Sequence, residues 1–125
     1  MKKIVMVVDD SNVLRSSVKF TLENAGYEVA EADDGKTGLS KLQELIQGGS
    51  RPGMIISDVN MPQMDGITFV KEVKKGPGKF IPILMLTTEA QPAMKEAGKN
   101  AGAAGWLVKP FKEDQLLAVV KKFVR

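Results

Sequence analysis

The chain contains no cysteine and no histidine among its 125 residues. The missing thiols exclude disulfides, thiolate nucleophiles and cysteine metal sites. The missing imidazoles exclude histidine zinc sites and the Ser-His and Cys-His pairs that activate many nucleophiles. Any chemistry in this chain must therefore use carboxylates, hydroxyls and lysines. Oxygen ligands of this kind favour a hard cation.

Long apolar runs are also missing. The first one, Ile4–Val8, ends at Asp9 and is far shorter than the roughly 18 residues that a membrane helix needs. The net charge is +3, but the lysines are scattered, with few aromatic residues between them. This pattern favours a solvated surface over nucleic-acid binding. We therefore expect a cytoplasmic protein that binds neither membrane nor nucleic acid.

The size and composition indicate one compact domain. Hydrophobic residues make up 43% of the chain and charged residues 26%, as in ordinary globular proteins. Two separate cores would each be too small at this length. We expect residues 1–125 to form a single domain that is monomeric and carries no output domain.

Five short apolar segments predict β-strands, bounded by glycine, proline or acidic residues. They are Ile4–Val8, Tyr27–Ala32, Met54–Ser57, Ile81–Leu86 and Ala103–Val108. The first is rich in β-branched residues without alternation, which is typical of a strand buried on both faces.

Each strand is followed by a segment with apolar residues spaced three and four apart, which predicts a helix. The five sets are Leu14, Val18 and Leu22; Leu39, Leu42 and Ile46; Ile67, Val70 and Val73; the alanine-rich range Pro92–Ala101; and Leu116, Val120 and Phe123. Strict alternation of strand and helix requires parallel strands with helices on both faces, because each crossover is right-handed. The predicted fold is a doubly wound, flavodoxin-like α/β sheet of five strands in the order 2-1-3-4-5.

Polar residues end the central strands of this predicted sheet. Asp9 and Asp10 follow the first strand, Asp58 the third, Thr87 closes the fourth and Lys109 follows the fifth. Open α/β sheets bind ligands at the carboxyl ends of their strands, so we expect these side chains to share one crevice. Three crowded carboxylates repel each other unless a cation or a proton relieves them. Mg²⁺ is the simpler solution, because it binds a few carboxylates together with water and phosphate oxygens.

Each of these residues also has an ordinary structural explanation. The acids could cap helices, the threonine could be a plain strand residue and the lysine a surface residue. Their joint placement at four strand ends favours a site. Asp33 and Asp34 follow the predicted edge strand, and we assign them to helix capping or a turn instead.

Four signature segments connect these residues to a known family. They read Val-Val-Asp-Asp-Ser from Val7, Ser-Asp-Val-Asn-Met-Pro-Gln-Met-Asp-Gly from Ser57, Leu-Thr-Thr-Glu from Leu86 and Val-Lys-Pro-Phe from Val108. In this order and spacing, the sequence resembles the receiver domain of two-component response regulators. It is most similar to the single-domain chemotaxis (CheY-like) type, and the resemblance spans essentially the whole chain.

The resemblance implies the roles of the acids. Asp58 would be the phosphoacceptor, and a CheA-like histidine kinase would be the donor. Asp10 and Asp58 would bind Mg²⁺ directly, Asp9 through water and Asn60 through its backbone carbonyl. Asn60 and Glu89 stand at positions that tune the rate of phosphate loss in this family.

The resemblance also implies a switch. Thr87 and Lys109 would contact the phosphoryl group, and the Lys109-Pro110 peptide would be cis. The family's switch position on the fifth strand is usually tyrosine or phenylalanine, and this chain has Trp106 there. Either a rotamer change of Trp106 gated by Thr87 or plain packing of the indole fits the sequence.

We therefore expect a self-modifying switch that catalyses its own phosphorylation and dephosphorylation, and not a turnover enzyme. Its output surface would be the last two helices and the fifth strand, read by a flagellar motor switch protein or another signalling target in chemotaxis. A phosphorelay intermediate, a phosphate sink and an inert interaction module remain alternatives. A flavodoxin-like FMN carrier is a further one, but Asp9 and Asp10 would repel the FMN phosphate.

Overall fold

Five parallel strands form one sheet in the order β2-β1-β3-β4-β5, which confirms the predicted architecture. The computed structural model describes residues 3–61, 64–88 and 92–124, with the side chains of all of these except 92–94. The elements are β1 Ile4–Val8, α1 Asn12–Asn24, β2 Glu28–Ala32, α2 Gly35–Gln47, β3 Met54–Asp58, α3 Gly66–Lys74, β4 Ile83–Thr87, α4 Pro92–Ala101, β5 Gly105–Val108 and α5 Glu113–Phe123.

The sheet separates two hydrophobic cores. Successive side chains of a strand point to opposite faces, so Met6 and Val8 enter one core and Val5 and Val7 the other. The first core packs α2 and α3 against the sheet, and the second packs α1 and α5. Because β1, β3 and β4 are buried on both faces, their ends are fixed in place.

Three helices begin at the caps that their sequences favour. Ser11 accepts a hydrogen bond from the amide of Leu14 at the start of α1. Asp34 accepts from the amide of Thr37 at 2.7 Å, so the predicted capping role of Asp34 is confirmed.

Within the described ranges, no helix is long and apolar enough to cross a bilayer.

Three strands begin one or two residues later than predicted, at Glu28, Ile83 and Gly105. In each case the first residue of the predicted strand, Tyr27, Ile81 or Ala103, donates its amide to a carbonyl outside the sheet. The amide of Ile81, for example, donates to the carbonyl of Gly78 at 2.9 Å, and that of Tyr27 donates to Leu22 at 3.0 Å. Turn and helix-end hydrogen bonds therefore take the amides that the apolar pattern assigned to strands.

The first turn of α3 lies directly against the end of β3. The amide of Gly66 donates to the carbonyl of Val59 at 2.7 Å. A Cβ atom at Gly66 would overlap the backbone oxygen of Asp58 and would lie 2.8 Å from the Met85 methyl group. Only glycine allows this approach, which brings the loop after Asp58 back under the sheet.

We expect Gly66→Ala to lower the free energy of unfolding by about 1–3 kcal/mol, because the new methyl group meets backbone that cannot move aside. Gly76→Ala is the matched control, since a Cβ at Gly76 meets nothing within 4 Å. Urea denaturation of both variants measures the difference. Equal stability of the two variants would contradict the close approach.

Candidate functional site

Three carboxylates meet at the carboxyl end of the sheet. Asp58 is the last residue of β3, while Asp9 and Asp10 directly follow β1, its neighbour in the sheet. One oxygen from each of the three lies within 4.8 Å of the others. Asp9 and Asp58 are buried, whereas Asp10 is exposed. The structure thus brings the predicted acids together in a cluster that reaches solvent through Asp10.

Lys109 supplies a cation to this cluster. Its Nζ lies 3.2 Å from Oδ1 of Asp58 and 3.5 Å from Oδ2 of Asp9. The backbone amide of Lys109 donates to the carbonyl of Thr87 at 2.7 Å, which ties the residue after β5 to the end of β4. The Lys109-Pro110 peptide is cis, as the family resemblance implied.

The electrostatics of Asp58 favour its neutral form. Burial raises the pKa of this carboxyl group, and the charge of Asp9 raises it further. Lys109 and the amide of Val59, which donates to Oδ1 at 2.9 Å, oppose that shift in pKa without cancelling it. Any further positive charge placed beside Asp58 therefore stabilises its ionised form.

The donor set fits a magnesium ion. Oδ1 of Asp9 accepts a hydrogen bond from the amide of Ser11 at 2.8 Å, but the buried Oδ2 has no hydrogen-bond donor among the described residues. Buried oxygens normally have a partner, and apart from the Lys109 ammonium 3.5 Å away this one has none among the described residues, so it can still accept from water or bind a cation. The three carboxylates carry about −3 and Lys109 about +1 at neutral pH, which leaves about −2 for a divalent ion.

The structure places Thr87 beside this cluster and Asn60 in the loop that follows it. Thr87 is fully buried at the end of β4, and the register pairs it with Val108, immediately before Lys109. Asn60 is exposed, two residues after Asp58. Glu89, which the sequence assigned to tuning phosphate loss, lies outside the described residues. The functional roles of Thr87 and Asn60 stay predictions.

Trp106 lies in β5 opposite Met85 and packs partly against the first core. A Cβ atom at Gly98 of α4 would overlap the indole ring, so the ring occupies the space that the missing side chain leaves. Nε1 of Trp106 is buried without a hydrogen-bond partner among the described residues. Among the described residues, packing is therefore what holds the indole in this position.

One further contact at the cluster was not predicted from the sequence. Arg15 of α1 donates from Nη1 to the backbone carbonyl of Asp9 and from Nε to Oε1 of Glu31 on β2, at 3.3 Å. Lys19 donates to the other oxygen of Glu31 at 3.1 Å. The spacing of four between Arg15 and Lys19 places them on one helix face, but nothing in the sequence names their partners.

Comparison with known proteins shows the family to which this fold and this cluster correspond. The model of the response regulator receiver domain matches residues 5–121. The chain is 34% identical over 125 residues to the alkaline phosphatase synthesis transcriptional regulatory protein PhoP of Bacillus subtilis, covering 100% of this chain and 50% of PhoP. It is 35% identical over 121 residues to the response regulator MprA of Mycobacterium tuberculosis, covering 97% of this chain and 50% of MprA. The chain thus spans about half the length of these curated relatives.

One solved structure matches this chain over nearly the whole length of both proteins. The chemotaxis protein CheY4 of Vibrio cholerae is 48% identical and superimposes with a TM-score of 0.90, covering 99% of this chain and 100% of that one. The family model covers most of the chain, and both the sequence relatives and this structure agree with it. The chain belongs to the family of response regulator receiver domains.

Proposed function

We propose that this chain is a cytoplasmic phosphorylation switch in which Asp58 accepts a phosphoryl group from a histidine kinase in a Mg²⁺-dependent reaction. The observation that carries the proposal is the cluster itself, in which oxygens of Asp9, Asp10 and Asp58 lie within 4.8 Å of one another. Lys109 lies 3.2 Å from Asp58 and is the only one of these four side chains with a positive charge.

The proposed metal ligands are carboxylate oxygens of Asp10 and Asp58, the backbone carbonyl of Asn60, and Asp9 through a water molecule. Bound Mg²⁺ supplies positive charge to the carboxylates and to the oxygens of an incoming phosphoryl group. The exposed carboxylate of Asp10 keeps one side of the cluster open to solvent, which is the direction from which the donor must approach.

In the transfer step, a carboxylate oxygen of Asp58 forms a bond to the phosphorus of a phosphohistidine. The P–N bond breaks, and its electron pair stays with the imidazole nitrogen of the kinase. Lys109 stabilises the negative charge of the transferring group. The switch returns to its first state by hydrolysis: water attacks the phosphorus, the bond to Asp58 breaks and inorganic phosphate leaves. Both steps use the receiver's own residues.

Phosphorylation changes the local charge by about −1, because the phosphoryl group brings about −2 and one carboxylate charge disappears. Thr87 and Lys109 are the donors proposed to detect this change. Thr87 can donate its hydroxyl proton to a phosphoryl oxygen, and Lys109 can form a charge-assisted hydrogen bond. Movement of Thr87 would then free the space into which Trp106 can rotate, and Trp106 would lose packing on leaving but no hydrogen bond to a described residue.

The proposed output surface consists of α4, β5 and α5. Its exposed lysines are Lys95, Lys99, Lys112, Lys121 and Lys122. Arg125 also belongs to this basic segment of the sequence, but it lies outside the described residues. A basic surface of this kind fits an acidic partner surface. We propose a chemotaxis output and a chain that acts as a single domain, on the ground that a full-length match at 48% identity is to a chemotaxis protein.

We expect Asp58→Asn to abolish incorporation of ³²P from acetyl phosphate in the presence of Mg²⁺, because an amide cannot form an acyl phosphate. Asp34→Asn is the matched control, since Asp34 lies at the cap of α2 and Asn caps equally well. The control should label like the unaltered protein. Acid-labile labelling that persists in Asp58→Asn would reject Asp58 as the acceptor.

The pH dependence of stability tests the electrostatics of Asp58 in metal-free protein. Folding raises the pKa of Asp58. The folded protein therefore binds this proton more tightly than the unfolded chain does. As pH rises above the ordinary carboxyl pKa, the free energy of unfolding falls. Asp58→Asn removes this loss, and at pH 7 with a chelator it should be more stable than the unaltered protein. The gain should shrink as pH falls towards 4.

Asp34→Asn again serves as the control, because the pKa of Asp34 is shifted in the opposite direction. A hydrogen bond from the amide of Thr37 lowers the pKa of Asp34, so this carboxylate stabilises the fold above the ordinary carboxyl pKa and stops doing so at lower pH. The Asp34 variant should therefore lose, and not gain, a little stability at pH 7. Urea denaturation across pH 4–7 measures both. A less stable Asp58→Asn at pH 7 would contradict the raised pKa.

Phosphorylation-dependent capture tests the proposed output. Protein phosphorylated with acetyl phosphate should bind an immobilised flagellar switch protein more tightly than the unphosphorylated protein does, and Asp58→Asn should not respond. Reversing the charge of Lys121 and Lys122 together should weaken that binding if the basic surface is the output surface. Transfer of the label to a second histidine protein without binding to the switch protein would instead favour a phosphorelay intermediate.

A further inference from the structure

The corner between β1 and α1, which carries Asp9 and Asp10, is held to β2 at two points. The amide of Asp9 donates to the carbonyl of Ala32 at 3.1 Å. The carbonyl of Asp9 accepts a hydrogen bond from Nη1 of Arg15. Both hydrogen-bonding groups of the Asp9 backbone are therefore bound, and the second depends on a single side chain.

Arg15 is itself fixed by two further partners. Its Nε donates to Oε1 of Glu31 at 3.3 Å, and its Nη2 donates to Oδ1 of Asn12 at 2.6 Å. The Arg15 side chain is only 16% exposed. Glu31 stands on β2 opposite Val7 of β1, so it is part of the sheet and cannot follow the corner if the corner moves. The guanidinium serves these three acceptors from three different nitrogens held in one plane, a geometry that an ammonium group, with all its donors on one nitrogen, cannot reproduce.

Asp10 depends on this arrangement more than its neighbours do. Asp9 is oriented by the amide of Ser11, and Asp58 by the amide of Val59 and by Lys109. In the parts of the chain that the structure describes, the carboxylate of Asp10 takes part in no hydrogen bond or ion pair, and it is exposed. Among the described contacts, Asp10 is therefore held through its backbone, which begins at the Asp9-Asp10 peptide whose carbonyl Arg15 binds.

We propose that Arg15 is a positioning residue for the acid cluster: it clamps the Asp9-Asp10 peptide to Glu31 of β2 and thereby sets the distance of the Asp10 carboxylate from Asp58. The inference rests on the proposed function, because the cluster is taken to bind Mg²⁺. Arg15 does not contact the ion. It acts through the backbone of Asp9.

A purely electrostatic role for Arg15 predicts the opposite change in Mg²⁺ affinity. A cation near the cluster repels Mg²⁺, so removal of its charge alone would tighten metal binding. A clamp predicts weaker binding when the hydrogen bonds are lost, even if the charge is kept. Arg15→Lys separates the two, because it keeps the charge and loses the planar set of donors.

The test is a calorimetric titration of each variant with Mg²⁺. Arg15→Lys should bind the ion about tenfold more weakly than the unaltered protein, the size of effect typical of groups that orient metal ligands. Lys19→Gln is the matched control: it removes a cation from the same Glu31, at 3.1 Å, without touching Asp9, and should stay within about twofold. Unchanged affinity in Arg15→Lys, or tighter binding in Arg15→Gln, would overturn the clamp.

A second readout needs no metal. Hydrogen exchange of the Ser11 amide, which bonds to Oδ1 of Asp9, reports on the geometry of the corner in chelator-treated protein. It should be about tenfold faster in Arg15→Lys while the amides of β3 stay unchanged. Unaltered exchange at Ser11 would refute the clamp.

A failure of the unaltered protein to bind Mg²⁺ or to be labelled at Asp58 would refute the proposed function. In that case the exchange of the Ser11 amide would still test the positioning role of Arg15.

Discussion

Repulsion among Asp9, Asp10 and Asp58 is the constraint on which the rest of the structure depends. Their oxygens lie within 4.8 Å of one another, and two of the three residues are buried, so each charge raises the cost of the next. Burial raises the pKa of Asp58, and the charge of Asp9 raises that pKa further. Lys109 relieves only part of this cost. A further cation would stabilise the charged form of this cluster, and the proposed metal-dependent phosphoacceptor relies on that property.

The fold supplies the force that holds the acids together against this repulsion. β1 and β3 are adjacent because the sheet reverses its winding between them, and their central residues Val7 and Ile56 are completely buried. Apolar burial on both faces of these strands fixes the two ends that carry the acids. Gly66 then turns the chain back beneath Asp58, and Arg15 secures the corner after β1. The polar site is thus placed by apolar packing and adjusted by a few hydrogen bonds.

The sequence was sufficient for whatever depends on local pattern. The unbroken run Ile4–Val8 and the alternation with helical spacing determined the strand order, and the polar residues at the strand ends located the cluster. Contacts that exist only in three dimensions could not be predicted. Arg15 looks like any surface arginine of an amphipathic helix until Asp9 and Glu31 are placed beside it, and Gly98 has meaning only when the indole of Trp106 fills its space. The starts of β2, β4 and β5 were wrong because hydrogen bonds outside the sheet take the first amides.

The central claim is that the three acids share one divalent ion. Crystals grown with Mn²⁺, which substitutes for Mg²⁺ among oxygen ligands, would locate that ion directly through its anomalous scattering. The account predicts one strong peak, at about 2.2 Å from carboxylate oxygens of both Asp10 and Asp58. An anomalous map at saturating Mn²⁺ with no peak between these two side chains would contradict it.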